Sequence, residues 1–454
     1  MNFAARCPLT LALPDEGGLE VFLAELLYLA LVGDAPSHSS KPAVRFRFRP
    51  TVLADIGALL PHCAHISPIP ASSYLQRQRA LAQTLHELNA SAYIAEPGAS
   101  AAYFANLSSS QWHLSERPLL LIISPEVDSH EQVQAKVSIL TPAFEATRAK
   151  LLPIPSESHL TYPAWPEDVN PFEIAISVVS QLGEGTVYVD GMVRSFILDG
   201  LRKATAHSRV LTAPVEVRRL RERKSAEELE IMKCANEVTL LAIRAVRETV
   251  KIGMRESEVR QLMSDALDAA GLEGGGCLTL FGENAALPHG SGTDRVLGAH
   301  DFVLVDCDGG LHGYRSDTTR TYALPESTIH ATHLRIWNLV HSAQANALAA
   351  AGNGTITAEV DAAARNTLAA QGYAQYFTHR LGHGIGLETH ESPYLRGGSE
   401  DVILTGHTFS DEPGVYIEGQ VGIRLEDTFY VHENGTAILL TAGVGGAARG
   451  PWDP

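Results

Sequence analysis

The sequence predicts an α/β domain followed by an α+β domain, and three observations predict it. Helix-patterned and strand-patterned segments alternate from Ser72 to Asp190, the order that yields a sheet covered by helices. A capping-box signature, Ser225 with Glu228 three residues on, marks a long amphipathic helix over Arg218 to Val250 and a border between domains. Beyond it, apolar strand patterns broken by Gly and Pro dominate, and 454 residues exceed one ordinary domain.

Residues 1–71 mix Pro, Ser, His and Arg without sustained periodicity and read as an irregular lead-in with no assignable function. Its apolar run, Val21 to Val32, is short for a membrane span and carries Glu25 in its middle. The run also follows Asp15-Glu16, where a signal peptide needs positive charge, and reads as an amphipathic or degenerate anchor. From Ser72 a helix places Leu75, Leu81, Leu85 and Leu88 along its length, and Ser91–Ala95, Leu119–Ile123 and Thr186–Asp190 read as strands. The expected organisation is a lead-in over 1–71, an α/β domain over 72–217 and an α+β domain over 218–454. Within the last, Gly253–Ala270 reads as a helix, Gly274-Gly275-Gly276 as a turn and Phe302–Val305 as a strand.

Against 35 Lys+Arg stand 52 Asp+Glu, a formal net charge of −17 that repels a phosphate backbone and argues against a nucleic-acid partner. The five cysteines, Cys7, Cys63, Cys234, Cys277 and Cys307, are dispersed and form no Cys-x-x-Cys, so reduced thiols are expected. Four Asn-x-Ser/Thr sequons, at Asn89, Asn106, Asn353 and Asn434, exceed what eleven asparagines give by chance. They pull toward a secretory or membrane-anchored chain, whereas the rest of the sequence favours the cytoplasm.

The chemistry lies in the last third, where carboxylates and a histidine follow apolar strands. Phe302–Val305 runs into Asp306, and Asp317 lies eleven residues on, with Gly309-Gly310 as the expected turn of a hairpin that lets the two acids face each other. Gly382-His383-Gly384, Asp411-Glu412-Pro413-Gly414 and Arg424-Leu425-Glu426-Asp427 follow. Any one of these acids alone is more economically a turn former. Together they would bury several carboxylates, which is costly without a compensating cation. Asp306, Asp317, His383, Glu412 and Glu426 form a hard, oxygen-dominated donor set suited to two divalent ions such as Mn²⁺, Co²⁺ or Zn²⁺.

These segments resemble, in type and order, those of the two-metal pita-bread peptidases, the Xaa-Pro dipeptidases (prolidases) and Xaa-Pro aminopeptidases. The resemblance rests on Ser316–Thr321 (Ser-Asp-x-Thr-Arg-Thr), Gly382–Glu391 (Gly-His-Gly-x-Gly-x-x-x-His-Glu), Glu412–Gly414 and Arg424–Asp427. It implies a creatinase-like amino-terminal accessory domain over 72–217 and a pita-bread catalytic domain over 218–454. It further implies two divalent metals, Mn²⁺ first, with Asp306 on one, His383 and Glu412 on the other, and Asp317 and Glu426 bridging. The implied reaction is hydrolysis of the bond before proline in dipeptides or short peptides by a hydroxide held between the metals. Glu412 would relay a proton, while His289, His390 and Arg424 would face the substrate. The implied assembly is a homodimer whose accessory domain limits substrate length. Cys307 and Asp308-Gly309-Gly310 depart from the family pattern without removing a ligand.

Three other classes compete. Creatinase-type hydrolases and binding proteins that share the fold have lost several of these ligands, and a general aminopeptidase resembling methionine aminopeptidase normally lacks a large amino-terminal domain. A dinucleotide-binding oxidoreductase is suggested only by Gly443–Ala448, a run without the following helix and acid that such a site requires.

Overall fold

The computed structural model describes residues 60–454 other than 158–159, 181–184, 206–208 and 291–292. The segment Val21–Val32, Cys7 and most of the lead-in lie outside the described residues. Among those described, no helix is long and apolar enough to cross a membrane.

The amino-terminal domain is built on a six-stranded mixed sheet of order β4-β3-β2-β1-β5-β6. In chain order its elements are α1 (Ala71–Glu87), β1 (Ala90–Ala95), α2 (Ala99–Ala105), β2 (Leu120–Val127), β3 (Val133–Pro142), β4 (Ala164–Trp165), α3 (Pro171–Ser177), β5 (Thr186–Val189), α4 (Ser195–Ala204) and β6 (Arg209–Thr212). Strand alternation gives the sheet two apolar faces. Tyr93, Ala95, Leu121 and Ile123 pack with Leu81 and Leu85 of α1, while Ala92, Ile94, Leu120 and Ile122 pack with Ile197 and Leu201 of α4. Of the four leucines expected along the first helix, Leu81 and Leu85 are buried and Leu75 and Leu88 half-buried.

The helix expected over Arg218–Val250 is two helices, α5 (Val215–Glu222) and α6 (Ala226–Arg247). The chain breaks between them because Lys224 N–H donates to the Gly406 carbonyl at 2.8 Å. Ser225 then restarts the helix: its hydroxyl accepts from Glu228 N–H at 3.3 Å and the Glu228 carboxylate accepts from Ser225 N–H at 2.8 Å. The capping box thus signalled an interruption as well as a start.

The carboxyl-terminal domain continues with α7 (Glu256–Ala269), β7 (Glu273–Phe281), β8 (Val303–Leu311) and β9 (Tyr314–Tyr322). Next come α8 (Ala331–Ala350), α9 (Thr357–Ala369), β10 (Gly382–Gly384), β11 (Glu391–Leu395), β12 (Thr408–Asp411), β13 (Gly414–Ile417), β14 (Val421–Arg424), β15 (Asp427–Val431) and β16 (Ala437–Leu439). Sheets of order β7-β8-β9 and β11-β10-β12-β15-β16, with the β13-β14 hairpin, form its strand layer. Helices α6 and α7 cover β7–β9 through Val238, Ile243, Met263, Phe281, Val303 and Val305. Helix α8 covers the five-stranded sheet and the β13-β14 hairpin through Trp337 and Val340 against Phe409, Phe429 and Ile423.

Three local expectations fail for identifiable reasons. Gly274–Gly276 lie within β7 and not in a turn, because α7 packs so near that a Cβ on Gly275 would stand 2.9 Å from Leu267 Cβ. Gly309-Gly310 lie within β8, and the hairpin turns instead at His312-Gly313, where Gly313 takes φ +85 and the flanking Leu311 and Tyr314 pair. Helices α8 and α9 occupy a stretch read as strands; their signal was Trp337, Val340, Ala343, Gln344 and Ala347 at helical spacing.

The expected reduced thiols are corrected as well. Cys63 is bonded to Cys234, and Cys277 to Cys307. No local spacing announces bonds that span 171 and 30 residues. The fold creates them: Cys277 and Cys307 are register partners in the β7–β8 pair, and the turn at Leu60–Cys63 lies against α6.

Candidate metal centre

Alternation along β8 sends Val303, Val305 and Cys307 toward α6 and α7 and leaves Asp306 and Asp308 on the opposite face. In the β8–β9 register Asp308 stands opposite Asp317 and Asp306 opposite Thr319, so Asp306 and Asp317 are diagonal neighbours on one face. Like charges directly across a ladder are destabilising. Arg315 compensates Asp308 with an ion pair, while Asp317 is buried.

Three further segments bring their donors to the same face. Glu426 enters between β14 and β15, docked by its N–H on the Thr319 carbonyl at 3.0 Å. Glu412 follows β12, its N–H on the Leu381 carbonyl at 2.9 Å. His383 lies in β10, its N–H on Ser410 Oγ at 3.1 Å. Ligand atoms of Asp306, Asp317 and Glu426 lie within 4.8 Å of one another, as do those of His383, Glu412 and Glu426, and those of Asp317, His383 and His390. All five residues singled out in the sequence therefore converge, with Glu426 common to two of the triads.

The donor chemistry fits divalent cations. His383 Nδ1–H donates to the Gly384 carbonyl at 3.0 Å, which fixes the tautomer and leaves the Nε2 lone pair 3.3 Å from Glu412 Oε1 and 3.6 Å from Asp317 Oδ2. Burial, and next the neighbouring His390, push the His383 pKa down to about 3, so the imidazole is neutral. Glu426 Oε2 accepts from Thr319 Oγ1 at 2.6 Å, but Oε1 is buried with no hydrogen-bond partner among the described residues. Burial, followed by the mutual repulsion of the acids, raises Asp317 and Glu426 well above the usual carboxylate range. Glu412 is raised to about 7 by burial, against the opposing charge of Arg424. Neutral imidazole, converging carboxylates and an orphaned oxygen are what a cation pair would satisfy.

The three residues expected to face substrate are placed differently from one another. His390 is exposed immediately before β11, its ring 4.2 Å from that of His383, and His289 is exposed in the loop after β7. Arg424 is buried beneath the site. It donates to Asp306 Oδ2 at 2.5 Å, to the Tyr416 hydroxyl at 3.0 Å and to Thr319 Oγ1 at 3.2 Å. The arginine expected to face substrate also supports Asp306 in this arrangement, and its Nη1 reaches the Pro288 carbonyl beside His289 at 3.4 Å.

The residues that sequence reasoning passed over are those supports. Asp308 and Arg315 flank the acids, and the Asp-x-Asp alternation was the available signal for Asp308. The Tyr416 hydroxyl donates to His379 Nε2 at 2.8 Å, linking that ring to Arg424. Asp411, one residue before Glu412, is buried with neither oxygen partnered among the described residues.

Residues 230–433 match the model of metallopeptidase family M24. An uncharacterized peptidase of Schizosaccharomyces pombe is 38% identical over 392 residues, covering 85% of this chain and 84% of that protein. The chain belongs to metallopeptidase family M24. Within that family, the Xaa-Pro dipeptidase of Pyrococcus furiosus is 36% identical over 225 residues, 49% of this chain and 64% of its own length. The crystal structure of dipeptidase PepE from Mycobacterium ulcerans superposes with a TM-score of 0.74 at 28% identity, covering 82% of this chain and 97% of that one. This M24 metallopeptidase has the pita-bread catalytic domain preceded by an amino-terminal α/β domain, and the converging donors lie in the part that the family model matches.

Proposed function

We propose that this metallopeptidase hydrolyses the peptide bond preceding proline in dipeptides or short peptides, using two divalent ions, Mn²⁺ first. The observation that carries the reading is the convergence of Asp306, Asp317, His383, Glu412 and Glu426 on one face, within a chain similar to a Xaa-Pro dipeptidase. Asp306 would hold one ion, His383 and Glu412 the other, and Asp317 and Glu426 both. When bound, two such ions polarise a carbonyl and lower the pKa of the water between them enough to make it a nucleophile at neutral pH.

The chain's own residues orient and move protons. Glu412, with Ser410 Oγ 3.2 Å from its Oε1, would take a proton from water and return it to the leaving nitrogen. The exposed rings of His390 and His289 are available to the scissile carbonyl and the developing negative charge on its oxygen. Arg424 holds Asp306 in place. Proline lacks an N–H and its ring fixes φ, so a pocket shaped for it selects a rigid group at low entropic cost.

The test is kcat/KM for Ala-Pro against Ala-Ala, and for Ala-Pro-Ala against Ala-Ala-Ala, in Mn²⁺. A strong preference for the proline peptides is expected. Equal values for proline and alanine would refute the proline assignment and leave a general metallopeptidase.

A further inference from the structure

The loop that carries His390 is fastened from behind by buried charge. Lys224 Nζ lies 2.7 Å from Glu391 Oε1, with side-chain exposures of 2% and 3%. Nζ also donates to the carbonyls of Arg221 and Glu222 at 3.0 and 3.1 Å, so all three of its protons are used. Arg221 adds a second cation, 3.6 Å from Glu391 Oε2 and paired with Glu388. Ser392, on the far side of Glu391, donates to Glu222 Oε1 at 2.7 Å. The end of α5 and the segment joining it to α6 thus grip residues 388–392 at several points.

The ion pair is also sealed against the backbone of that loop. A Cβ on Gly386 would stand 2.7 Å from Lys224 Cε and 2.8 Å from Glu391 Oε1. Glu391 is the register partner of Gly384 in the β10–β11 pair, one residue beyond His383. His390 directly precedes Glu391, and its ring lies 4.2 Å from that of His383. Anchoring Glu391 to Lys224 therefore pins the backbone from which His390 reaches the His383 ring.

We propose that the Lys224–Glu391 pair, backed by Arg221, is a positioning device that fixes His390 over the metal centre and thereby sets the rate of peptide cleavage. The proposal rests on the functional reading above, in which His390 meets the substrate. Neither Lys224 nor Glu391 touches the substrate; they act through the loop. A buried ion pair is a poor source of net stability, and replacing both partners with apolar groups of similar volume is often neutral or stabilising. A role limited to folding is therefore separable from a role in positioning.

The experiment compares wild type, Glu391→Gln and the double variant Lys224→Met/Glu391→Met. It measures Tm, bound Mn²⁺, kcat and KM on whichever of Ala-Pro and Ala-Ala wild type cleaves, and the His383–His390 ring distance in crystals of the Mn²⁺-loaded proteins. The expected result for the double variant is a wild-type Tm and metal content, a displaced His390 ring, and a kcat about 10–100-fold lower, the penalty of an ångström-scale misplacement. KM should change far less than kcat. A double variant with wild-type kcat, a kcat loss that disappears once Tm is restored, or an unmoved ring would overturn the proposal. If wild type cleaves neither peptide, the functional reading fails by itself, and the ring distance still decides whether the pair positions His390.

Discussion

Replacing Glu426 by Gln should stabilise the metal-free protein while removing its response to metal. The substitution keeps the side chain's shape and the bond from Thr319 Oγ1, and removes one of the converging negative charges. Donor atoms of Glu426, Asp306 and Asp317 lie within 4.8 Å of one another, so a like-charge pair there costs about 3 kcal/mol at an effective dielectric of about 20. Part of this is already relieved by protonation, since burial and repulsion raise the Glu426 and Asp317 pKa values. A gain of about 1–3 kcal/mol remains, and Tm should rise by roughly 2–4 °C per kcal/mol. The assay is thermal unfolding of wild type and variant in chelator and in saturating Mn²⁺. Wild type should be strongly stabilised by the ion, by about 4 kcal/mol at a thousandfold excess over Kd, whereas the variant loses most of that increment. A variant less stable than wild type in chelator, or one with an undiminished Mn²⁺ shift, would refute the reasoning that these carboxylates are held together for a cation.

Glu412→Gln should keep the fold and lose kcat by about 10² or more, because a carboxamide relays no proton; a wild-type kcat would remove Glu412 from proton transfer. His407 is buried with Nδ1 accepting from Leu404 N–H at 3.3 Å, and burial, then the cations Lys224, Arg223 and Arg219, lower its pKa to about 4. Its folded pKa lies below the unfolded value of about 6.5, so this contribution is complete above that value and is lost as pH falls toward 4. About 2 kcal/mol should be gone by pH 5, and His407→Asn should reduce the pH 7.5-to-5 loss of unfolding free energy by that amount; an unchanged loss would exclude His407. Ser225→Ala removes the capping bond at the start of α6 and should cost about 1 kcal/mol, with unaltered denaturation counting against the cap.

The convergence of Asp306, Asp317, His383, Glu412 and Glu426 was legible in the sequence because several acids and a histidine recur beside apolar strand segments. The alternation of helix and strand patterns likewise announced an α/β domain ahead of the α+β domain. What the sequence hid depends on contacts made across the fold. The break at Lys224 exists because its N–H pairs with Gly406, far along the chain. Gly275 looked like a turn because the reason for its missing side chain is a helix packed against it. Arg424 was assigned to the substrate side on the strength of its motif, and only the surrounding Thr319, Asp306 and Tyr416 reveal that it also supports the acids. The cysteine pairs became visible only when register brought Cys277 beside Cys307 and a turn brought Cys63 to α6.

The Cys63–Cys234 bond has a topological consequence for the amino-terminal domain. Cys63 precedes α1 and Cys234 lies within α6, so the six-stranded sheet and all its helices fall inside one covalent loop with a sequence separation of 171. The domain is hung from the catalytic body at two points, where a single linker would give it one pivot. His62 reinforces the second point, its Nε2 lying 2.7 Å from Glu237 Oε2 one turn along α6. Swinging about the α5–α6 junction alone would strain the other attachment, so small rocking is permitted and wide opening is not. In the chain-entropy account, closing a loop of this size removes about 5 kcal/mol of freedom from the unfolded chain. A cut anywhere in the exposed loops of the domain would leave both fragments joined to the metal-binding half until the bond is reduced.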